Sequence, residues 1–115
     1  MPTITKYKVG VTRSHKPGPI RWITLKLESA TEGAGAVSLF FYDKEPQVFG
    51  FLNRESSTLV ANFRTEDFEP MYRILNTESP VFAHFRVHGD EHRLLSFDLS
   101  TSEEPLGEGP VDRSP

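Results

Sequence analysis

The stretch that decides the fold is residues 80–100, which read PVFAHFRVHGDEHRLLSFDLS. Apolar and polar residues alternate on both sides of a central Gly-Asp-Glu, and side chains in a strand point alternately to its two faces. We therefore predict a β-hairpin with one apolar face. The residues on this face are Val81, Ala83, Phe85, Val87, Leu95, Phe97 and Leu99.

The length of the turn sets the pairing within this hairpin. A three-residue turn at residues 89–91 pairs Phe85 with Leu95 and keeps the apolar residues on one face, whereas a two-residue turn would mix the two faces. The same register places His88 opposite His92. We therefore expect two histidines to meet where the hairpin turns.

Five further strands are expected before the hairpin, because apolar and polar residues alternate in the first two of five earlier runs and turn-forming residues separate the others. These runs are residues 4–13, 20–28, 37–42, 47–52 and 58–63. The glycine-rich residues 33–36 are followed by a strand and not by a helix. We interpret them as part of a flexible hairpin connection and not as a dinucleotide-binding loop.

One helix is predicted between the fifth run and the hairpin. Its apolar residues have the i, i+3, i+4, i+7 spacing of a single helix face. They are Phe68, Met71, Tyr72 and Leu75. Thr65 or Asp67 can cap this helix, and Pro80 favours its end between residues 76 and 79.

These elements predict a mainly β (α+β) domain over residues 1–100, with about seven strands and one helix between strands 5 and 6. Short connections between successive strands favour an antiparallel meander that forms a curved sheet or a small, partly open barrel. Residues 101–115 contain four acidic residues, three prolines and two aliphatic residues. This composition predicts an acidic, flexible tail.

Composition excludes several classes of protein. The chain has 115 residues and no cysteine, which rules out disulfides, thiolate metal sites and thiol nucleophiles. No apolar run approaches the roughly 18 residues of a membrane span, so we expect a cytoplasmic protein without membrane contact. The net charge of −3 is carried by residues 101–115. The near-neutral remainder favours association and makes nucleic acid an unfavoured partner.

Two groups of residues are candidates for binding an anionic ligand. The first is the basic loop over residues 13–22, in which cations flank the only tryptophan, an arrangement that suits stacking and phosphate contacts. Its members are Arg13, His15, Lys16, Arg21 and Trp22. The second group is His84 and Arg86, which lie beside Phe82 on the polar face of the hairpin.

No cofactor is expected, and a metal site is not favoured. His88 and His92 are weak candidates for an open divalent-metal site, because two histidines without a third spaced ligand form no recognised motif. No catalytic motif such as G-x-S-x-G or H-E-x-x-H occurs in the sequence. These observations favour a protein without enzymatic activity.

Aromatic residues on both faces of the central strands exceed what one helix can cover. Phe40, Tyr42, Phe49 and Phe51 are therefore interface candidates. We expect a non-enzymatic binding or assembly module that is homo-oligomeric, through these rings or through an edge strand. Two alternatives stay open: a small-molecule-binding barrel or small enzyme with an aromatic pocket, and an anion or nucleic-acid binder that uses residues 13–22.

Overall fold

The computed structural model describes residues 3–101, which form two β-sheets and one α-helix. The elements in chain order are β1 (Ile4–Val11), β2 (Arg21–Thr31), β3 (Ala34–Tyr42), β4 (Gly50–Asn53), β5 (Thr58–Arg64), α1 (Phe68–Thr77), β6 (Phe82–Val87) and β7 (Leu94–Ser100). The mainly β class, the seven strands and the helix between strands 5 and 6 are confirmed. The expectation of a flexible tail concerns residues 101–115, of which all but Thr101 lie outside the described residues.

The first five strands form one sheet in the order β1-β2-β3-β5-β4. All neighbours are antiparallel except β3 and β5, which run parallel, so β5 interrupts the predicted succession of neighbouring strands. Burial explains this order. Strand β5 buries Leu59 and Ala61 in the interior of the sheet, whereas β4 has only four residues and takes one edge. Strands β1 and β4 remain at opposite ends of the sheet, which is therefore open and not closed into a barrel.

One face of this sheet, which we call the inner face, carries the hydrophobic core. Side chains alternate along β2 and β3, and the positions on the inner face are fully buried. They are Ile23, Leu25, Val37, Leu39 and Phe41. The opposite face, which we call the outer face, carries the intervening residues, which are half-buried or exposed.

The helix and the β6–β7 hairpin cover the inner face. The Phe68 ring of α1 packs edge-on against Phe41, with centroids 5.2 Å apart. The Phe97 ring of β7 lies 6.1 Å from the ring of Phe63 on β5. Aromatic contacts of this kind stabilise a core beyond the area that they bury.

The predicted apolar face of α1 is confirmed. Phe68 and Leu75 are buried, while Met71 and Tyr72 are half-buried against the core. A short 3-10 turn, Thr65–Asp67, leads into the helix, and Asp67 occupies the N-cap position without a side-chain capping hydrogen bond.

The hairpin also contacts both edges of the five-stranded sheet. The Ile4 N–H donates to the Val81 carbonyl at 2.9 Å beside β1, and the Leu52 N–H donates to the His92 carbonyl at 2.8 Å beside β4. The turn of the hairpin thus covers the short strand β4, whereas β1 meets β6 only at its first residues.

Along residues 82–86, the predicted pairing within the hairpin is wrong by two residues. Phe85 lies opposite Phe97 and not opposite Leu95. A bulge near the turn buries Leu94 and leaves Leu95 45% exposed. Leu94 is favoured inside because its side chain fits beside Gly50, where a Cβ would come within 2.7 Å of it.

Strands β2 and β3 are joined by a tight turn. Thr31 pairs with Ala34 across Glu32 and Gly33, whose φ angles are 53° and 91°. Two successive positive φ angles are typical of a type I′ hairpin turn. Residues 34–36 therefore begin β3, with Ala34 fully buried, and do not form the flexible connection that the sequence predicted.

Candidate functional site

An apolar and largely aromatic surface lies on the outer face of the five-stranded sheet. Strand pairing places Trp22 opposite Phe40, and Val60 opposite Phe51. Tyr42 follows Phe40 on the same face, and its hydroxyl donates to Asn62 Oδ1 at 3.4 Å. We call Trp22, Phe40, Tyr42, Val60 and Phe51 the aromatic surface.

Neither the helix nor the hairpin forms a layer over the aromatic surface. The helix contacts Phe41 and Tyr7, and the hairpin contacts Phe63, all of which lie on the inner face. Four members of the aromatic surface are consequently only half-buried, and Phe51 is 42% exposed. Partly exposed apolar residues grouped on one sheet face are typical of a contact surface.

The interface candidates divide between two places. Phe40, Tyr42 and Phe51 belong to the aromatic surface. Phe49 does not, because its ring packs edge-on against Phe63 at 5.7 Å. Alternation along a strand would place Phe49 and Phe51 on the same face. Phe49 does not follow this rule because β4 begins only at residue 50, so Phe49 lies in the preceding connection.

A groove with three lysines adjoins the aromatic surface at β1 and β2. It has a volume of about 350 Å³ and is lined by Lys6, Tyr7, Lys8, Trp22, Thr24 and Lys26. We call it the basic groove. The Trp22 indole lies directly over Gly10, so that a Cβ on this glycine would overlap the ring.

The basic loop predicted as an anion site is divided by the sheet. Arg21 and Trp22 are adjacent in β2 and therefore point to opposite faces. The Arg21 guanidinium lies 4.6 Å from the centroid of the Phe68 ring on the inner side, where a cation over an aromatic ring stabilises the fold. Trp22 lies on the outer face, across from Phe40.

The other three residues of that loop are exposed in the connection between β1 and β2. Arg13 and Lys16 line one groove of about 460 Å³. His15 and Lys16 line another of about 410 Å³ together with Asp43 and Glu45. Because carboxylates face the cations there, the five residues do not form one continuous cationic site.

His84 and Arg86 share the polar face of the hairpin, as expected. His84 Nε2 lies 2.9 Å from Ser100 Oγ, within hydrogen-bond distance, and His84 pairs with Asp98 across the strands. Arg86 and Asp98 line a groove of about 520 Å³ together with Glu32. Two carboxylates beside one arginine make this groove less suited to an anion than the basic groove.

His88 and His92 serve the turn of the hairpin. The His88 N–H donates to the Arg93 carbonyl and the His92 N–H donates to the His88 carbonyl, both at 2.8 Å, so the two histidines meet in the turn as predicted. His88 Nδ1 accepts a hydrogen bond from the Glu91 N–H at 3.2 Å. Across residues 3–101, no three histidine or carboxylate side chains are grouped to bind one metal ion.

Sequence reasoning did not single out Lys6, Lys8, Lys26 or Val60. The lysines are spread over two strands that are separated by a loop, and only the register of β1 and β2 places Lys6 opposite Lys26. Val60 joins the aromatic surface only because β5 lies between β3 and β4. Neither the pairing of Lys6 with Lys26 nor the position of Val60 can be predicted from the periodicity within one strand.

Comparisons with protein-family models, curated proteins and solved structures give no match. Similarity to known proteins therefore assigns no class of protein to this chain, and the surfaces of residues 3–101 are the basis for inferring its function. The helix found in residues 3–101 lacks the length and apolar character needed to cross a membrane.

Proposed function

We propose that the protein is a non-enzymatic assembly module that forms a homodimer through the aromatic surface. The observation that carries this proposal is the position of Phe40, Val60 and Phe51 on a sheet face that neither the helix nor the hairpin covers. Two such faces can pack against each other about 10 Å apart, as sheets do in a β-sandwich.

The near-neutral charge of the outer face on β3, β4 and β5 suits contact with a second copy. The part of the aromatic surface on β3, β4 and β5 surrounds Ser38, which pairs with Thr24 on one side and Val60 on the other. Arg64, at the end of β5, lies 3.3 Å from Glu66 and 4.0 Å from Glu45. Because this half of the outer face is close to neutral, two copies can meet there without like-charge repulsion.

The size of the outer face supports a weak, reversible dimer. The three strands β3, β5 and β4, with a seven-residue ladder between β3 and β5, give a sheet face of roughly 330 Å², using strand spacings of about 4.8 Å and a rise of about 3.3 Å per residue. Two copies would bury about 660 Å², which lies in the range of weak, transient contacts.

Pairing through edge strands is less favourable than pairing through this face. Strand β4 already contacts the hairpin through Phe51 and Arg93. Strand β1 carries Lys6 and Lys8, and lysines on an edge oppose pairing with an identical strand. The outer face is therefore the better supported of the two contacts.

Cysteine cross-linking tests which face is used, because the natural chain has no cysteine. Ser38→Cys places a thiol at the centre of the outer face, and Ser96→Cys places one on the exposed polar face of the hairpin. A bismaleimide with a reach of about 10 Å matches the spacing of packed sheets. We expect covalent dimers from Ser38→Cys and none from Ser96→Cys. Equal yields, or dimers from Ser96→Cys alone, would contradict the proposal.

A further inference from the structure

The basic groove concentrates positive charge at one end of the outer face. Lys6 lies directly opposite Lys26 across β1 and β2, and Lys8 lies opposite Thr24. All three lysines are exposed, and none takes part in the salt bridges found within residues 3–101. Like charges directly across two strands destabilise their pairing. An anion bound between Lys6 and Lys26 would relieve this repulsion.

The groove has the dimensions of a site for a few side chains. Its volume of about 350 Å³ lies at the lower end of ligand-binding pockets. The Trp22 indole, held over Gly10, gives it an apolar wall between charged rims. This combination suits an apolar side chain that is flanked by carboxylates.

The adjacent edge of β1 offers backbone groups for a further strand. Strand β1 pairs with β2 on one side, and on its other side the described residues contact only its start, through Thr3 and Ile4. Lys6 and Lys8 oppose pairing with a second copy of β1. The same charges would attract a strand that carries carboxylates.

We propose that the basic groove and the edge of β1 that residues 3–101 leave open bind an extended acidic peptide of a partner protein. The peptide adds a strand to β1, so that its backbone hydrogen bonds supply affinity and its side chains supply specificity. Its carboxylates contact Lys6, Lys8 and Lys26, and an apolar side chain packs on Trp22. An exposed strand edge and a single aromatic ring favour a peptide over nucleic acid, which uses successive rings for stacking.

This site adjoins the proposed dimer contact and shares Trp22 with it. The lysines of the groove lie on β1 and β2, whereas Phe51 lies on β4 at the other end of the sheet. Substitutions at Lys26 and at Phe51 therefore test peptide binding and self-association apart, and failure of one leaves the other standing.

The fluorescence of Trp22 reports binding directly, because it is the only tryptophan in the chain. The probe is a decapeptide in which every second residue is glutamate, except for one valine, and the intervening residues are threonine, so that the carboxylates and the valine lie on one face of the added strand. The control peptide has glutamine in place of glutamate. We expect a saturable change in emission with the acidic peptide that weakens as salt is raised. Equal binding of both peptides, or no saturable change with either, would contradict the proposal.

Lys26→Glu is the variant that separates loss of binding from loss of folding. It should weaken peptide binding by about tenfold or more, because it brings a like charge to the carboxylates of the peptide. It should also raise the melting temperature, since it turns the Lys6 and Lys26 pair into opposite charges. Unchanged peptide affinity would contradict the proposal.

Three controls complete the experiment. Lys44→Glu, in the exposed connection after β3, should leave peptide affinity unchanged, and Phe51→Ser should retain it even where self-association is lost. A single-stranded oligothymidine is the third control. If it bound Trp22 more tightly than the acidic peptide, or if Lys44→Glu weakened peptide binding as much as Lys26→Glu, the groove would not be a site for acidic peptides.

Discussion

At the scale of single residues, Gly10 and Trp22 set the shape of the outer face. They lie opposite each other on β1 and β2, and the indole occupies the space that a side chain at residue 10 would need. Glycine is required there for close approach and not for an unusual backbone angle. The wall of the basic groove thus depends on the missing Cβ of one residue.

Gly10→Ala tests this arrangement. The added methyl would overlap the indole, so we expect the free energy of unfolding to fall by about 1–3 kcal/mol and the emission of Trp22 to change. Urea denaturation followed by fluorescence measures both effects. Gly18→Ala is the control, because a Cβ at Gly18 has no neighbouring atom within 4 Å. Equal stability and equal emission in Gly10→Ala and the natural protein would show that the ring does not lie over Gly10.

At the scale of elements, the β2–β3 turn joins the two strands that carry Trp22 and Phe40. Its residues Glu32 and Gly33 both have positive φ, which suits glycine and asparagine far better than glutamate. The register shifts between Thr31 and Lys26, and beyond this irregularity Trp22 pairs with Phe40.

Substitutions in the turn should change stability in opposite directions. Glu32→Asn is expected to raise the free energy of unfolding by about 0.5 kcal/mol, because asparagine tolerates a left-handed backbone. Gly33→Ala should lower it by about 1–2 kcal/mol, since φ is 91° and the Leu52 side chain lies 3.2 Å from the position of a Cβ. Thermal denaturation of the two variants measures the difference. A stabilising effect of Gly33→Ala would rule out this turn geometry.

Sequence periodicity predicted the elements better than their pairing. Alternation identified the strands, and the spacing of Phe68 and Leu75 identified the buried face of the helix. Adjacent apolar residues hid the bulge in the hairpin, because either Leu94 or Leu95 satisfies the pattern. Only contact with Gly50 on another strand decides that Leu94 points inward.

The same limit applies to the candidate site. Phe40, Tyr42 and Phe51 were predictable as surplus aromatic residues, because one helix cannot cover both faces of a sheet. The basic groove was not predictable, since Lys6 and Lys26 become neighbours only through strand pairing. Arg21 was misleading for a related reason: it is close to Trp22 in sequence but lies on the other face of β2.

At the scale of the whole molecule, the two faces of the large sheet have different roles. The inner face carries the core and is covered by the helix and the hairpin. The outer face combines a near-neutral aromatic half on β3, β4 and β5 with the basic groove on β1 and β2. We infer that this division lets one domain contact a second copy and an acidic peptide at separate places.

Sedimentation equilibrium over a micromolar concentration series tests the central claim most directly, with two variants matched for exposure. Phe51→Ser removes an apolar side chain that is 42% exposed on the outer face, and Leu95→Ser removes one that is 45% exposed on the hairpin. We expect the average mass of the natural protein and of Leu95→Ser to rise with concentration from the monomer mass of 13.0 kDa towards twice that value. The average mass of Phe51→Ser should remain near the monomer mass. A constant 13.0 kDa mass for all three proteins, or a dimer that Phe51→Ser leaves intact and Leu95→Ser dissociates, would contradict assembly through the aromatic surface.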